Sequence, residues 1–144
     1  MFRNILVPVD FTLKNEAALN TALDLARGIG GNGGPAKVTL LHVIETIEHV
    51  EFDEMKDFYR GLETRAAAKL FGMEERFKAA AVPVYHDILY GKRTEAIVRH
   101  AEEREIDLIV LSSHKVDRDH PALSVGTISY RIAIVARCPV LLVK

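Results

Sequence analysis

Asp10 is the first residue of this chain whose type and place could do chemistry. It directly follows Ile5-Leu6-Val7-Pro8-Val9, a short, fully apolar, β-branched run of the kind that forms a central strand. A carboxylate at the C-terminal end of such a strand faces the crevice in which doubly wound α/β folds bind ligands, although the same position also suits a turn or cap bond with Thr12. Gly126-Thr127 carries the strongest anion chemistry: Gly126 lets a ligand approach the backbone, and Thr127 is placed to cap a helix. The N–H groups of Thr127 and Ile128 would then point, with the helix dipole, at an anion.

Other groupings fail on spacing. Ser112 and Ser113 lack the G-x-S-x-G elbow of a nucleophile, and Asp10 lacks the acidic cluster and strand-five Lys of a phosphoacceptor. The tract Gly28-Ile29-Gly30-Gly31-Asn32-Gly33-Gly34 leads out of a helix rather than into one, opposite to a dinucleotide fingerprint. Gly91-Lys92-Arg93-Thr94 resembles the tail of a P-loop, but His86 stands where the first Gly belongs and Arg93 where Ser or Thr belongs. His114, Asp117, Asp119 and His120 could ligate a metal, but no helical or strand period aligns them and Lys115 and Arg118 repel cations; a solvated loop is expected. His42 and His100 fall within a strand and a helix, as packed histidines do.

The elements that must position these residues follow from periodicity. Ala18, Leu19, Ala22, Leu23, Leu25 and Ala26 make an amphipathic helix from Asn15 to about Ile29. Val38 to Ile44 is a second buried strand, and Phe58, Leu62, Ala66, Leu70, Met73 and Phe77 form the inward stripe of a long helix ending near Ala81. Val82 to Tyr90 is a third strand, with Pro83 pointing to a sheet edge. A helix over 94–104 turns Ile97, Val98 and Ala101 inward, Leu108 to Leu111 is a fourth strand, 127–136 a last helix and Val140 to Val143 a fifth, buried strand. Repeated strand–helix alternation closed by a strand means an α/β fold with parallel strands and right-handed crossovers. No linker or repeat interrupts 1–144, so one domain is expected.

Composition excludes several classes. A formal net charge of -1, with acids and bases interspersed, leaves no footprint for nucleic acid. No apolar run approaches the ~20 residues that span a bilayer, and Met1-Phe2-Arg3-Asn4 runs straight into a strand, so neither a membrane partner nor a signal peptide is expected. Cys138 is the single cysteine, in keeping with a reducing cytoplasm.

Taken in order, Ile5 to Thr12, Leu41-His42-Val43, Leu111-Ser112-Ser113-His114, Gly126-Thr127-Ile128-Ser129 and Cys138-Pro139-Val140-Leu141-Leu142-Val143 resemble the universal stress protein family across the whole chain. The resemblance implies a Rossmann-like three-layer sandwich with a five-stranded parallel sheet of order 3-2-1-4-5, in a cytoplasmic homodimer of stress-response function. It implies an adenine nucleotide (ATP, ADP or AMP, with or without Mg²⁺), with at most slow ATP hydrolysis. Adenine and ribose contacts would carry over to Pro8, Val9, Asp10, Val43 and Leu111, and phosphate contacts to Gly126, Thr127 and Ile128. The ATP-binding branch has Gly, two residues, Gly, nine residues, then Gly-Ser or Gly-Thr. Here Ser112 replaces the first glycine and Lys115 the second, and the spacer from Val116 to Val125 is one residue longer. A nucleotide-free dimeric interaction module of the same family is therefore the alternative. The strand over 140–143, apolar on both faces at a sheet edge, is the expected homodimer contact.

Overall fold

The computed structural model describes residues 2–28, 33–113, 118–119 and 127–144. Five strands, β1 (Asn4–Pro8), β2 (Lys37–Ile44), β3 (Val84–Tyr90), β4 (Leu108–Ser112) and β5 (Val140–Val143), form one sheet in the order β3-β2-β1-β4-β5. Every pairing is parallel. Four helices, α1 (Asn15–Gly28), α2 (Lys56–Ala79), α3 (Arg93–Glu103) and α4 (Ile128–Val135), complete the three layers.

The alternation of side chains along β1 generates two cores. Ile5, Val7 and Val9 enter one with α1 and α2, where Ala18, Leu19, Leu70 and Phe77 are fully buried. Leu6 enters the other with Ile97 and Ala101 of α3 and Ile132 of α4. A central strand buried on both faces must be apolar throughout, as this one is.

The edge strand β3 is fastened to both helical layers by adjacent residues. The His86 ring pairs through Nδ1 with the buried Glu74 carboxylate of α2, which Lys78 also approaches at 3.3 Å. Asp87, facing the opposite way, accepts a 2.7 Å hydrogen bond from Nε2 of the buried His100 on α3. His100 is therefore a packed histidine with a structural partner.

Helices α2 and α3 terminate alike. Ala81 (φ 56°) and Glu105 (φ 53°) take the left-handed conformation just past each end. The following N–H groups then reach back inside: Val82 N–H to Phe77 O and Ile106 N–H to Ala101 O, both at 2.9 Å. In each case the reaching residue and its target are buried apolar side chains.

Two expectations need correcting. At the start of α2 it is Tyr59, 2 % exposed, that turns inward, whereas Phe58 is 49 % exposed. The Tyr59 ring stacks on Phe52 and meets Tyr90 edge-on, and its hydroxyl accepts the Ile47 N–H at 2.8 Å, a set of contacts Phe58 could not make. The second concerns β5, which is only half-buried, with Leu141 exposed, because none of the described residues covers the outer edge of the sheet there. Tyr59→Ala should cost about 3–5 kcal/mol and Phe58→Ala under about 1 kcal/mol, as read by urea denaturation; similar losses would mean that the helix is rotated from this register.

Candidate functional site

Beyond the last residue of β1 the sheet ladder ends, and the turn into α1 needs other partners. Val9 still donates its N–H to Leu41 O at 2.8 Å. The next two N–H groups, of Asp10 and Phe11, both donate at 2.9 Å to Oδ1 of Asn15. Asn15 is 3 % exposed, and its Nδ2 donates to Ser112 Oγ at 3.1 Å, joining this turn to the end of β4. Phe11 is held at φ 66°, a strained conformation for a residue with a side chain.

Asp10 sits exposed at the mouth of a cleft of about 200 Å³. Its Oδ1 accepts the Thr12 hydroxyl at 2.7 Å and the Thr12 N–H at 3.0 Å. The turn bond weighed from sequence thus coexists with a place in the cleft. Its Oδ2 has no protein donor among the described residues. Burial pushes the Asp10 carboxyl up, but the Thr12 hydroxyl and N–H and the positive charge of Arg93 outweigh it and hold the group below the usual carboxylate range. It is ionised at neutral pH, an acceptor fixed in direction.

The cleft brings together Pro8, Val9, Asp10, Val43, Leu111, Ser112 and Ile128, all named from sequence. Thr127 stands next to it as the cap of α4, accepting the Tyr130 N–H on Oγ1 at 3.3 Å. Lys115 and Gly126, the altered and intact ends of the expected phosphate loop, lie outside the described residues, as do His114, Asp117 and His120. Among the described residues no cluster of ligating side chains could hold a metal ion. The Cys138 thiol is pushed up by burial and lies in another part of the molecule.

Thr12, Lys14, Asn15, Leu41, Arg93, Ile97 and Ser129 line the cleft without having been singled out. Asn15 had a signal: a carboxamide on the apolar face of an amphipathic helix, where it must find partners inside. Arg93 belongs to the false P-loop tail and opens α3 instead, which aims it back across the strand ends.

On the other side of the turn, His42 Nδ1 donates to Val9 O at 2.8 Å, and its ring lies 4.2 Å from that of Phe11. Burial, then the positive charges of Arg93 and Lys69, hold this imidazole below its ordinary value, against the opposing pull of the Val9 carbonyl and Asp10. Because the folded state disfavours the protonated ring, the stability His42 contributes is complete above pH 6.5 and is lost as pH falls from there through its folded midpoint. Denaturation against pH should show an acid-side decline that is shallower in His42→Gln; identical profiles would contradict this. Asn15→Ala, which strands two N–H groups, should cost about 2–4 kcal/mol, and a loss under about 0.5 kcal/mol would show that the turn stands without it.

Comparison with known proteins bears on this arrangement. The model of the universal stress protein family matches residues 1–144. Universal stress protein YxiE of Bacillus subtilis (strain 168) is 29 % identical over 157 residues, which span all of both chains. Universal stress protein UspA from Lactobacillus plantarum superposes with a TM-score of 0.79 at 27 % identity, over 99 % of this chain and 98 % of its own. A universal stress protein family protein from Arabidopsis thaliana, solved with AMP bound, shares the fold at a TM-score of 0.70 and 18 % identity, over 99 % of this chain and 91 % of its own. With a family match from one end to the other and a sheet in the order those strands imply, the chain belongs to the universal stress protein family.

Proposed function

We propose that the cleft beside Asp10 binds an adenine nucleotide and that the protein is a regulatory, not a catalytic, module that works as a cytoplasmic homodimer. The observation that carries this is the pairing, in one cleft, of an ionised, oriented carboxylate with the apolar walls of Leu41, Val43, Ile97 and Leu111. The walls suit a purine face and the Asp10 carboxylate suits a ribose hydroxyl. At about 200 Å³ the cleft is smaller than the ~300–1,000 Å³ typical of whole-ligand pockets, so it accounts for the nucleoside half. The phosphates would extend toward Thr127 and Ile128 at the start of α4. The AMP held by the Arabidopsis relative supports the choice of adenine. No helix among the described residues is long and apolar enough to cross a membrane.

One observation favours the alternative of a nucleotide-free interaction module. Ser112, where the nucleotide-binding branch has glycine, uses its hydroxyl to fasten Asn15, an internal bond where the cradle would otherwise lie open. Calorimetry decides between them. AMP, ADP or ATP should give a saturable heat, and Asp10→Ala should weaken binding roughly 10–100-fold, the value of a bond to a charged acceptor. No heat from any of the three at about 1 mM, a strength worth only ~4 kcal/mol, would leave the interaction module.

The homodimer reading rests on β5. It is one edge of the sheet, it is half-buried, Leu141 is 37 % exposed, and the neighbouring α4 leaves Ile134 and Val135 exposed. An apolar edge with open backbone groups needs a cover, and a second copy related by a two-fold axis supplies one. Light scattering should give twice the chain mass, with Leu141→Pro shifting it to monomer or aggregate; a monomeric wild type would refute the contact.

A further inference from the structure

A second cleft opens at the same end of the sheet, on the opposite side of β1 and β2 from the one beside Asp10. It encloses about 220 Å³ between the β1–α1 turn, the end of β2 and one face of α2. Phe11 and His42 form one wall, and Arg65, Lys69 and Arg93 reach it from two helices. Against these three cations stands one carboxylate, Glu45, whose Oε1 is 3.9 Å from Arg93 Nε. Neither Arg65 nor Lys69 makes an ion pair among the described residues; the Lys69 ammonium lies 5.0 Å over the Phe11 ring.

This arrangement works against the stability of the chain. Arg65 and Lys69 are one turn apart on α2, where like charges repel along the helix. Phe11 keeps its strained backbone while its ring is held between His42 and Lys69. The His42 ring, held below its ordinary value first by burial, is lowered further by the charges of Arg93 and Lys69, against the pull of the Val9 carbonyl and Asp10. A cation cluster that Glu45 balances only in part, in a concave site bordered by strained backbone, is what an anion would relieve.

We propose that this second cleft is a binding site for a compact oxyanion, a phosphate or carboxylate group, gripped by Arg65, Lys69 and Arg93. The volume admits a small ion or the anionic end of a larger molecule, and excludes a helix or a nucleic-acid strand. Arg65 and Arg93 supply forked donors that match two oxygens at once, and Lys69 supplies a point charge. Arg93 lines both clefts, so an anion here competes with Asp10 for its charge and ties the occupancy of one cleft to the other.

The His42 ring reads the site directly, because an anion among these cations must raise its titration midpoint. The groups facing it are Asp10 and Phe11 from the β1–α1 turn, Arg65 and Lys69 from α2, Arg93 from α3 and Glu45 beyond β2. The experiment follows the His42 ring protons of the full chain by NMR against pH at constant ionic strength set with chloride. Sulfate, whose charge is fixed over this range, is the tetrahedral probe, and acetate is the carboxylate probe. A rise of roughly half a unit or more is expected with at least one of them. Sulfate alone would assign a phosphate group, acetate alone a carboxylate, and both the shared chemistry. The Arg65→Gln, Lys69→Gln double variant, changed at exposed positions, should start from a higher midpoint and no longer respond. If it does not fold, Lys69→Gln alone should respond less than the wild type. No shift with either probe, or a shift that survives the substitutions undiminished, overturns the proposal.

Discussion

The buried side-chain amide of Asn15 decides the geometry of this end of the molecule. Two N–H groups converge on its oxygen and its nitrogen reaches the end of β4. A parallel strand that stops inside a covered sheet leaves backbone donors with no ladder and little water, and each such donor left unpaired costs about 1–3 kcal/mol. One amide therefore offsets several kcal/mol of that debt, and in doing so it sets the direction of the chain. Asp10 is turned toward one side of the sheet and Phe11, at φ 66°, toward the other.

The two clefts are consequences of that divergence. Because side chains alternate along β1, the hollow beside Asp10 is floored by the core of α3 and α4, and the hollow beside Phe11 is walled by α2. Their charges are arranged differently: one sets the ionised Asp10 carboxylate beside Lys14 and Arg93, the other sets Arg65, Lys69 and Arg93 against Glu45. Arg93 at the first turn of α3 belongs to both. The proposed ribose and oxyanion sites thus lie within a few residues of each other on one chain reversal.

Most of the fold was legible because its strands are short, β-branched and apolar and its helices keep a clean stripe. Asp10 was legible for the same reason, since a strand end fixes where its carboxylate must stand. The errors came where pattern underdetermines geometry. Phe58 and Tyr59 are adjacent aromatics, and periodicity alone does not say which faces the core; the hydroxyl partner at Ile47 decides it. The apolar run of β5 reads as buried, but hydrophobicity reports a need for cover and not its source. Periodicity marks Asn15 only as the first residue of a helix, and Arg93 was concealed inside a false phosphate-loop tail.

The closures of α2 and α3 have a consequence for the molecule as a whole. Both helices are stopped by a buried apolar contact, Val82 on Phe77 and Ile106 on Ala101, and not by glycine, so tertiary packing forces Ala81 and Glu105 into the left-handed region. A residue with a Cβ pays about 1–2 kcal/mol to stand there. Against a typical net stability of ~5–15 kcal/mol, two such residues are a sizeable unspent margin. Neither residue lines either cleft. Thermal tolerance in this fold is therefore open to adjustment at the far ends of its helices, independently of whatever the clefts are selected to hold.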